Sequence, residues 1–163
     1  MNSLTLSRAS VKPIDISNES KNSIGLTEVP QDKITDMRVL VVDDEPDVSL
    51  ALKIALEEKG FKVDSFNDPT LALGNYKVGI YKLLILDIKM PKMNGFELFR
   101  EIRKIDGRVK VCFLTALSEL QDYKAFRKEV SPKKGERYYI QKPIENQEMI
   151  KRLTAIIADS NQT

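Results

Sequence analysis

The amino-acid sequence predicts an α/β fold, in which a doubly wound, five-stranded parallel sheet is covered by five helices. Strand and helix patterns alternate from about residue 37 to the end of the chain, as is typical of parallel sheets. Most strand segments are apolar on both faces, which indicates burial on both sides. The expected strand order is 2-1-3-4-5.

The first half of the sheet contains three strands, expected at residues 39–42, 61–66 and 83–86. A helix from about Pro46 to Lys59 is predicted by a proline suited to its first turn and by Gly60, which stops it. Its apolar stripe is Val48, Ala51, Leu52 and Ala55. A second helix is expected from Pro69 to about Tyr76.

The second half supplies two strands and three helices. The strands are expected at residues 109–114 and 138–140, and the helices between Gly95 and Asp106, at about 118–129, and after Pro143. The third helix should direct Leu98, Phe99 and Ile102 inward, and the fifth should bury Met149, Ile150, Leu153, Ile156 and Ile157. Residues 131–135 can only be loop.

A single domain is expected at residues 37–160, since the chain has room for one ordinary core. Residues 1–36 are rich in Ser, Asn, Thr and Asp without a sustained period, and we interpret them as a flexible N-terminal tail. The alternative is a docking or regulatory segment. Residues 161–163 form a short C-terminal tail.

Composition excludes several classes of function. The net charge is only +2, so no overall field favours direct nucleic-acid or membrane binding. Histidine is absent, which excludes histidine triads, imidazole metal sites and a phosphohistidine on this chain. Cys112 is the only cysteine and is interpreted as a buried apolar group. Without a membrane-spanning run or a secretory signal, a cytoplasmic location is expected.

Reactive side chains follow the ends of the predicted strands. Asp43 and Asp44 follow the first strand, Asp87 the third, Thr115 the fourth and Lys142 the fifth. The carboxyl ends of parallel strands meet at one rim of the sheet, where open α/β sheets bind ligands. Because the first and third strands are neighbours in the expected order, the three aspartates should meet at one point.

Three carboxylates at one point require a compensating cation. Unit charges about 4 Å apart repel by roughly 4 kcal/mol at an effective dielectric of 20. Hard oxygen ligands of this kind favour Mg²⁺ over a softer metal. The alternative is that the aspartates cap helices and turns, but three converging carboxylates with a distant lysine fit capping poorly.

A carboxylate can also attack phosphorus and form an acyl phosphate, provided that charge on the transferring oxygens is neutralised. Asp87 is the natural acceptor in this arrangement. Lys142 and the metal can bind the incoming phosphoryl oxygens, and the Thr115 hydroxyl can donate a hydrogen bond to one of them.

Four segments make the chain similar to a known family: VVDDEP at 41–46, LDIKMPKMNG at 86–95, LTA at 114–116 and YIQKP at 139–143. In this order and spacing they resemble the receiver domain of two-component response regulators, and the chain is similar to the stand-alone, chemotaxis-regulator-like members. The resemblance covers about residues 37–160 and implies a flavodoxin-like fold.

The resemblance implies a role for each site residue. Asp87 would accept phosphate from a sensor histidine kinase or a histidine phosphotransfer protein. Asp44, Asp87 and the backbone carbonyl of Lys89 would ligate Mg²⁺ directly, and Asp43 would act on or near the metal through water. Lys142 would contact the phosphate, and the bond between Lys142 and Pro143 is a candidate cis peptide.

Thr115 and Tyr139 resemble the family's switch pair, in which the hydroxyl moves to the phosphoryl group and the ring turns into the vacated space.

The signal would pass to a downstream protein through the face of helix 4, strand 5 and helix 5, with a homodimer on phosphorylation as one option. Residues 131–137 make this region longer than is usual in the family. Basic residues lie here, either as a surface for an acidic partner or as a solvated, partly paired face. They are Lys124, Arg127, Lys128, Lys133, Lys134 and Arg137.

The leading hypothesis for function is a single-domain response regulator, since the chain ends soon after the fifth helix. It would not be an enzyme for outside substrates, although it would phosphorylate itself from donors and dephosphorylate itself with Mg²⁺. The alternative is a receiver-like interaction module that no longer takes phosphate. A phosphohydrolase ranks last, because Lys89 stands where that class typically needs a second Asp.

Overall fold

The computed structural model describes residues 35–130 and 139–158. Its five strands are parallel and lie in the order β2-β1-β3-β4-β5, which confirms the predicted fold. The strands are β1 Arg38–Val42, β2 Lys62–Phe66, β3 Tyr81–Asp87, β4 Lys110–Thr115 and β5 Tyr139–Gln141.

Five α-helices connect or follow these strands within the described ranges. They are α1 Pro46–Glu57, α2 Pro69–Gly74, α3 Gly95–Ile105, α4 Leu120–Val130 and α5 Asn146–Ala158. A short 3-10 turn, Leu117–Glu119, precedes α4, so the predicted fourth helix begins with a tighter turn. Gly60 has a φ of 94°, the left-handed conformation expected of the residue that stops α1.

The sheet separates two apolar layers. Residues of the central strands alternate between the layers, so β1 and β3 must be apolar at nearly every position. One layer packs the sheet against α1 and α5, and it contains Val39, Val41, Leu83, Ile85, Leu56 and Leu153. The other packs it against α2, α3 and α4, and it contains Leu40, Val42, Leu86, Ala72, Phe99 and Phe126. Each large side chain buried in this way contributes about 1.5–3 kcal/mol.

The buried face of α1 differs from the predicted stripe. Its buried residues are Ser49, Leu52, Ala55 and Leu56. The prediction for Ala51 was wrong, since that residue is exposed. Ser49 can occupy the buried face because its hydroxyl donates to the Pro46 carbonyl at 3.0 Å and accepts from the Asn67 amide at 2.7 Å.

The third and fifth helices bury the predicted residues, with one exception. Leu98, Phe99 and Ile102 of α3 are buried, and so are Met149, Ile150, Leu153 and Ile156 of α5. Ile157 is only partly buried. A capping box starts α3, because the Asn94 side chain accepts from the Glu97 N–H and the Glu97 carboxylate accepts from the Asn94 N–H.

Some predictions lie outside the described residues. These are the N-terminal tail up to residue 34, the loop and strand start at 131–138, and the chain beyond residue 158. Among the helices in the described ranges, none combines the length and the apolar composition needed to cross a membrane.

Asp106 closes α3 and ties it to the segment before β3. Its carboxylate accepts from the Tyr76 hydroxyl and the Gly79 N–H, both at 2.9 Å. Burial raises the pKa of Asp106, but these hydrogen bonds outweigh burial and hold the pKa below its usual value. The charged form is therefore the one that the fold stabilises.

Asp106→Asn is expected to lower the free energy of unfolding by about 1–3 kcal/mol near neutral pH, because it removes a charged acceptor of partly buried hydrogen bonds. The pKa of Asp106 is lowered on folding, so its contribution is present above the unfolded pKa of about 3.9 and is lost as pH falls through the folded value. Urea unfolding of the wild type and of Asp106→Asn across the acid pH range measures this difference in the free energy of unfolding. The control Asp47→Asn, at an exposed position, should change the free energy of unfolding by less than about 0.5 kcal/mol.

Candidate phosphoacceptor and metal site

The three predicted aspartates converge at the carboxyl ends of β1 and β3. Asp43, Asp44 and Asp87 each offer a carboxylate oxygen, and these oxygens all lie within 4.8 Å of one another. The sheet register explains this, because Val42 of β1 lies beside Leu86 of β3 and the aspartates come next in both strands. Asp43 and Asp87 are buried, whereas Asp44 is half-buried. We call this cluster the acidic pocket.

The main chain around Asp43 fixes the orientation of its carboxylate. Its Oδ1 accepts from the Glu45 N–H at 2.9 Å. Its backbone N–H donates to the Phe66 carbonyl at 3.2 Å, and its carbonyl accepts from the Asn67 amide at 2.8 Å. The sequence analysis assigned Asn67 no role at this site. Its position after β2, at the same rim, is the signal that could have revealed its contact with the pocket.

Lys142 supplies the positive charge of the pocket. Its Nζ donates to Asp43 Oδ2 at 3.1 Å and to Asp87 Oδ1 at 3.0 Å. Partial burial lowers the pKa of Lys142, but the hydrogen bonds and charges of Asp87 and Asp43 outweigh burial and raise it. Lys142 is therefore held as a cation between two buried carboxylates. The peptide bond between Lys142 and Pro143 is cis, as predicted.

The pocket carries more negative charge than Lys142 compensates. Burial raises the pKa of Asp87 to about 6, against the lowering effect of its hydrogen bond with Lys142. The same value already includes the charges of Asp43 and Glu119, which also raise the pKa of Asp87, and the charge of Lys142, which lowers it. A further cation bound in the acidic pocket would neutralise part of this negative charge and so stabilise the folded protein. Glu119 was missed by the sequence analysis, and its carboxylate also accepts from the Ala116 N–H at 2.9 Å.

Thr115 and Tyr139 lie on the adjacent strands β4 and β5. Thr115 ends β4 and is fully buried, and its hydroxyl donates to the Ala116 carbonyl at 3.0 Å. Tyr139 lies beside Phe113 in the register of β4 and β5. Its ring centroid is 4.3 Å from that of Tyr123 on α4. The coupled movement of the Thr115 hydroxyl and the Tyr139 ring on phosphorylation stays a prediction.

The loop between β3 and α3 is packed tightly against the acceptor position. The Ile88 N–H donates to the Leu114 carbonyl at 3.2 Å, and the Gly95 N–H donates to the Ile88 carbonyl at 2.8 Å. A Cβ atom added at Gly95 would lie 2.3 Å from the backbone carbonyl oxygen of Asp87. Only glycine therefore permits α3 to start this close to Asp87.

Comparison with known proteins identifies the family. A family model described as the response regulator receiver domain matches residues 39–154. The chain belongs to this family. It is 34% identical over 117 residues to the transcriptional regulatory protein DltR of Streptococcus agalactiae, covering 72% of this chain and 50% of that protein. It is 36% identical over 123 residues to the CpxR homolog of Haemophilus influenzae, covering 76% of this chain and 51% of that protein.

The receiver domain thus spans about half the length of these curated relatives. Among solved structures, it is similar to the non-phosphorylated HemR receiver domain of Leptospira biflexa, with a TM-score of 0.66 and 29% identity. That match covers 75% of this chain and 94% of the HemR receiver domain. The predicted family and the predicted flavodoxin-like fold are both confirmed.

The acidic pocket of this receiver domain fits a hard divalent cation. Its donors are carboxylate oxygens from Asp43, Asp44 and Asp87, the ligand type that Mg²⁺ and Ca²⁺ prefer. Lys89, whose carbonyl was predicted as a further ligand, lies two residues after Asp87 at the start of the tight loop. The described part of the pocket therefore has the chemistry of a metal site, and the choice of Mg²⁺ stays a prediction.

The predicted basic face of the receiver domain is only partly described. Lys124 and Lys128 are exposed on α4. Lys133, Lys134 and Arg137 lie outside the described residues, as does the side chain of Arg127. An acidic partner for this face stays a prediction.

Proposed function

We propose that this receiver domain is a phosphorylation switch, in which Asp87 accepts a phosphoryl group in a Mg²⁺-dependent reaction. The donor would be the phosphohistidine of a sensor histidine kinase or a histidine phosphotransfer protein. The observation that carries the proposal is the acidic pocket itself, with three carboxylates within 4.8 Å and Lys142 Nζ bonded to two of them. A structural capping role does not require such crowding.

In the proposed reaction a carboxylate oxygen of Asp87 attacks phosphorus as the phosphorus–nitrogen bond of the donor breaks. The donor imidazole leaves with the electron pair and takes up a proton. Asp44, Asp87 and the Lys89 carbonyl would hold Mg²⁺ directly, and Asp43 would act through water. When bound, Mg²⁺ neutralises charge on the transferring oxygens.

Lys142 and Thr115 would stabilise the phosphoryl group. Lys142 already reaches Asp87 Oδ1, so its Nζ needs only a small movement to donate to a phosphoryl oxygen bonded there. The Thr115 hydroxyl would exchange its hydrogen bond with the Ala116 carbonyl for one with the phosphoryl group. Tyr139 would then turn toward the space that Thr115 vacates.

The output of the switch would be contact with another protein through the face formed by α4, β5 and α5. The Tyr139 ring lies at this face against Tyr123 of α4, which supports a coupling between the switch residue and the helix. Homodimerisation on phosphorylation is one form that such a contact can take.

Phosphorylation is tested with acetyl phosphate and Mg²⁺, followed by intact mass spectrometry. The wild-type protein should gain one phosphoryl group, and EDTA should prevent the gain. Asp87→Asn should abolish it, because an amide cannot form the acyl phosphate. Asp47→Asn, an exposed acidic control on α1, should label as the wild type does.

Other outcomes of the same experiment contradict the proposal. No labelling of the wild type by acetyl phosphate or a phosphorylated phosphotransfer protein would indicate an interaction module. Continuous turnover of an external phosphate ester would indicate a hydrolase. Labelling that persists in Asp87→Asn would place the acceptor elsewhere.

A further inference from the structure

The two residues between β2 and α2 contact the segment of Asp43 and the loop that follows Asp87. Asn67 donates its amide to the Asp43 carbonyl at 2.8 Å and to Ser49 Oγ at 2.7 Å. It therefore holds the end of β1 and the first turn of α1. Asp68, the next residue, contacts the loop that follows Asp87, since its Oδ2 accepts from Lys92 Nζ.

Asp68 is a fixed anchor for Lys92. Its Oδ1 accepts from the Thr70 N–H at 2.8 Å and from the Leu71 N–H at 3.2 Å, which caps α2. These bonds hold the carboxylate in one orientation, with Oδ2 directed at Lys92. An ordinary exposed ion pair lacks such an anchor, because both side chains must lose freedom to form it.

Lys92 has an unusual backbone conformation for a residue with a Cβ atom. Its φ is 69°, in the left-handed region that favours glycine. Such a conformation persists where surrounding contacts hold it, and it is most common at functional sites. The Met93 N–H donates to the Pro91 carbonyl at 2.8 Å, which closes a tight turn centred on Lys92, and the ion pair with Asp68 adds a side-chain contact to this turn. The ion pair therefore ties this turn, between Asp87 and α3, to the start of α2.

We propose that Asn67, Asp68 and Lys92 form a bridge that sets the spacing of the two sides of the acidic pocket. We call these three residues the loop bridge. One end fixes the segment of Asp43, and the other fixes the loop that carries the Lys89 carbonyl. Lys92 and Asp68 are thus positioning residues for the divalent ion, which they do not touch. This inference rests on the proposed function.

The Mg²⁺ dissociation constant tests the loop bridge through substitutions at Lys92. Lys92→Gly should raise the Mg²⁺ dissociation constant about fivefold, because the substitution releases the loop from Asp68. The melting temperature of this variant in EDTA should stay the same or rise, because glycine adopts a positive φ freely. Lys92→Arg keeps the charge and should retain most of the wild-type affinity. Titration calorimetry gives the constants, and thermal unfolding gives the stabilities.

Asp68→Asn tests the other partner, because asparagine still caps a helix but cannot pair with Lys92 as an anion. Asp68→Asn should weaken Mg²⁺ binding about as much as Lys92→Met does. The double variant Asp68→Asn/Lys92→Met should bind Mg²⁺ no more weakly than either single variant, because both substitutions remove the same ion pair. Lys104→Met is the matched control, since Lys104 forms an exposed ion pair with Glu101 at the far end of α3. It should leave the Mg²⁺ affinity unchanged.

Mg²⁺ affinities within twofold of the wild type for Lys92→Gly, Lys92→Met and Asp68→Asn would overturn the inference. A fall in stability that parallels every fall in affinity would also overturn it, because it would indicate a general structural role. If the wild type binds Mg²⁺ and is labelled while these variants match it, only the loop bridge fails. If the wild type does neither, the proposed function fails with it.

Discussion

Gly95→Ala is expected to destabilise the receiver domain by about 3 kcal/mol, the upper end of the cost of overpacking. The added Cβ would lie 2.3 Å from the Asp87 carbonyl oxygen and 3.1 Å from its carbonyl carbon. Both are backbone atoms of β3, so relief requires α3 or the acceptor itself to move. Phosphoryl labelling of any folded protein should therefore fall as well.

Urea unfolding and the rate of labelling by acetyl phosphate measure the two effects of Gly95→Ala. Gly74→Ala is the matched control, because a Cβ added at the end of α2 meets no heavy atom within 4 Å. It should be neutral or stabilise by about 0.4–1 kcal/mol. A Gly95→Ala protein with wild-type stability and labelling would show that the close approach of α3 does not position Asp87.

Lys142→Met is expected to destabilise the metal-free protein by about 3 kcal/mol. It leaves the buried carboxylates of Asp43 and Asp87 without the cation that bonds to both, and an uncompensated buried charge costs about that much. Mg²⁺ should restore part of the loss by binding the folded state. The labelling rate should fall about 100-fold, because a cation that would stabilise the phosphoryl oxygens is gone.

Unfolding of Lys142→Met in EDTA and in saturating Mg²⁺ separates these effects, and intact mass gives the labelling rate. The stabilisation by Mg²⁺ should be larger in this variant than in the wild type. Lys104→Met, which removes an exposed lysine, should change stability by less than about 0.5 kcal/mol. Wild-type stability in EDTA together with wild-type labelling would contradict the assigned role of Lys142.

The sheet and the acidic pocket could be predicted from the sequence because both depend on short, regular patterns. Apolar runs at β1, β3 and β4 required burial on both faces, and burial on both faces required a parallel sheet covered by helices. Once the strand order was inferred, the topology alone brought Asp43, Asp44 and Asp87 to one rim. No detail of side-chain packing was needed for that step.

The supporting contacts could not be predicted in the same way. Ser49 is polar yet buried, because Asn67 of another loop satisfies its hydroxyl, and a helical pattern does not contain that partner. The ion pair of Lys92 depends on a carboxylate 24 residues away. The tight approach of Gly95 depends on where β3 ends. Each of these contacts joins segments whose relative positions only the folded chain defines.

The site of the acyl phosphate is the most direct test of the proposed mechanism. Borohydride reduction of the labelled protein converts a phosphorylated aspartate to homoserine, which peptide mass spectrometry locates by residue. Homoserine should occur at position 87 and only in protein labelled in the presence of Mg²⁺. Homoserine at position 43 or 44, or equal conversion without a divalent ion, would contradict the account.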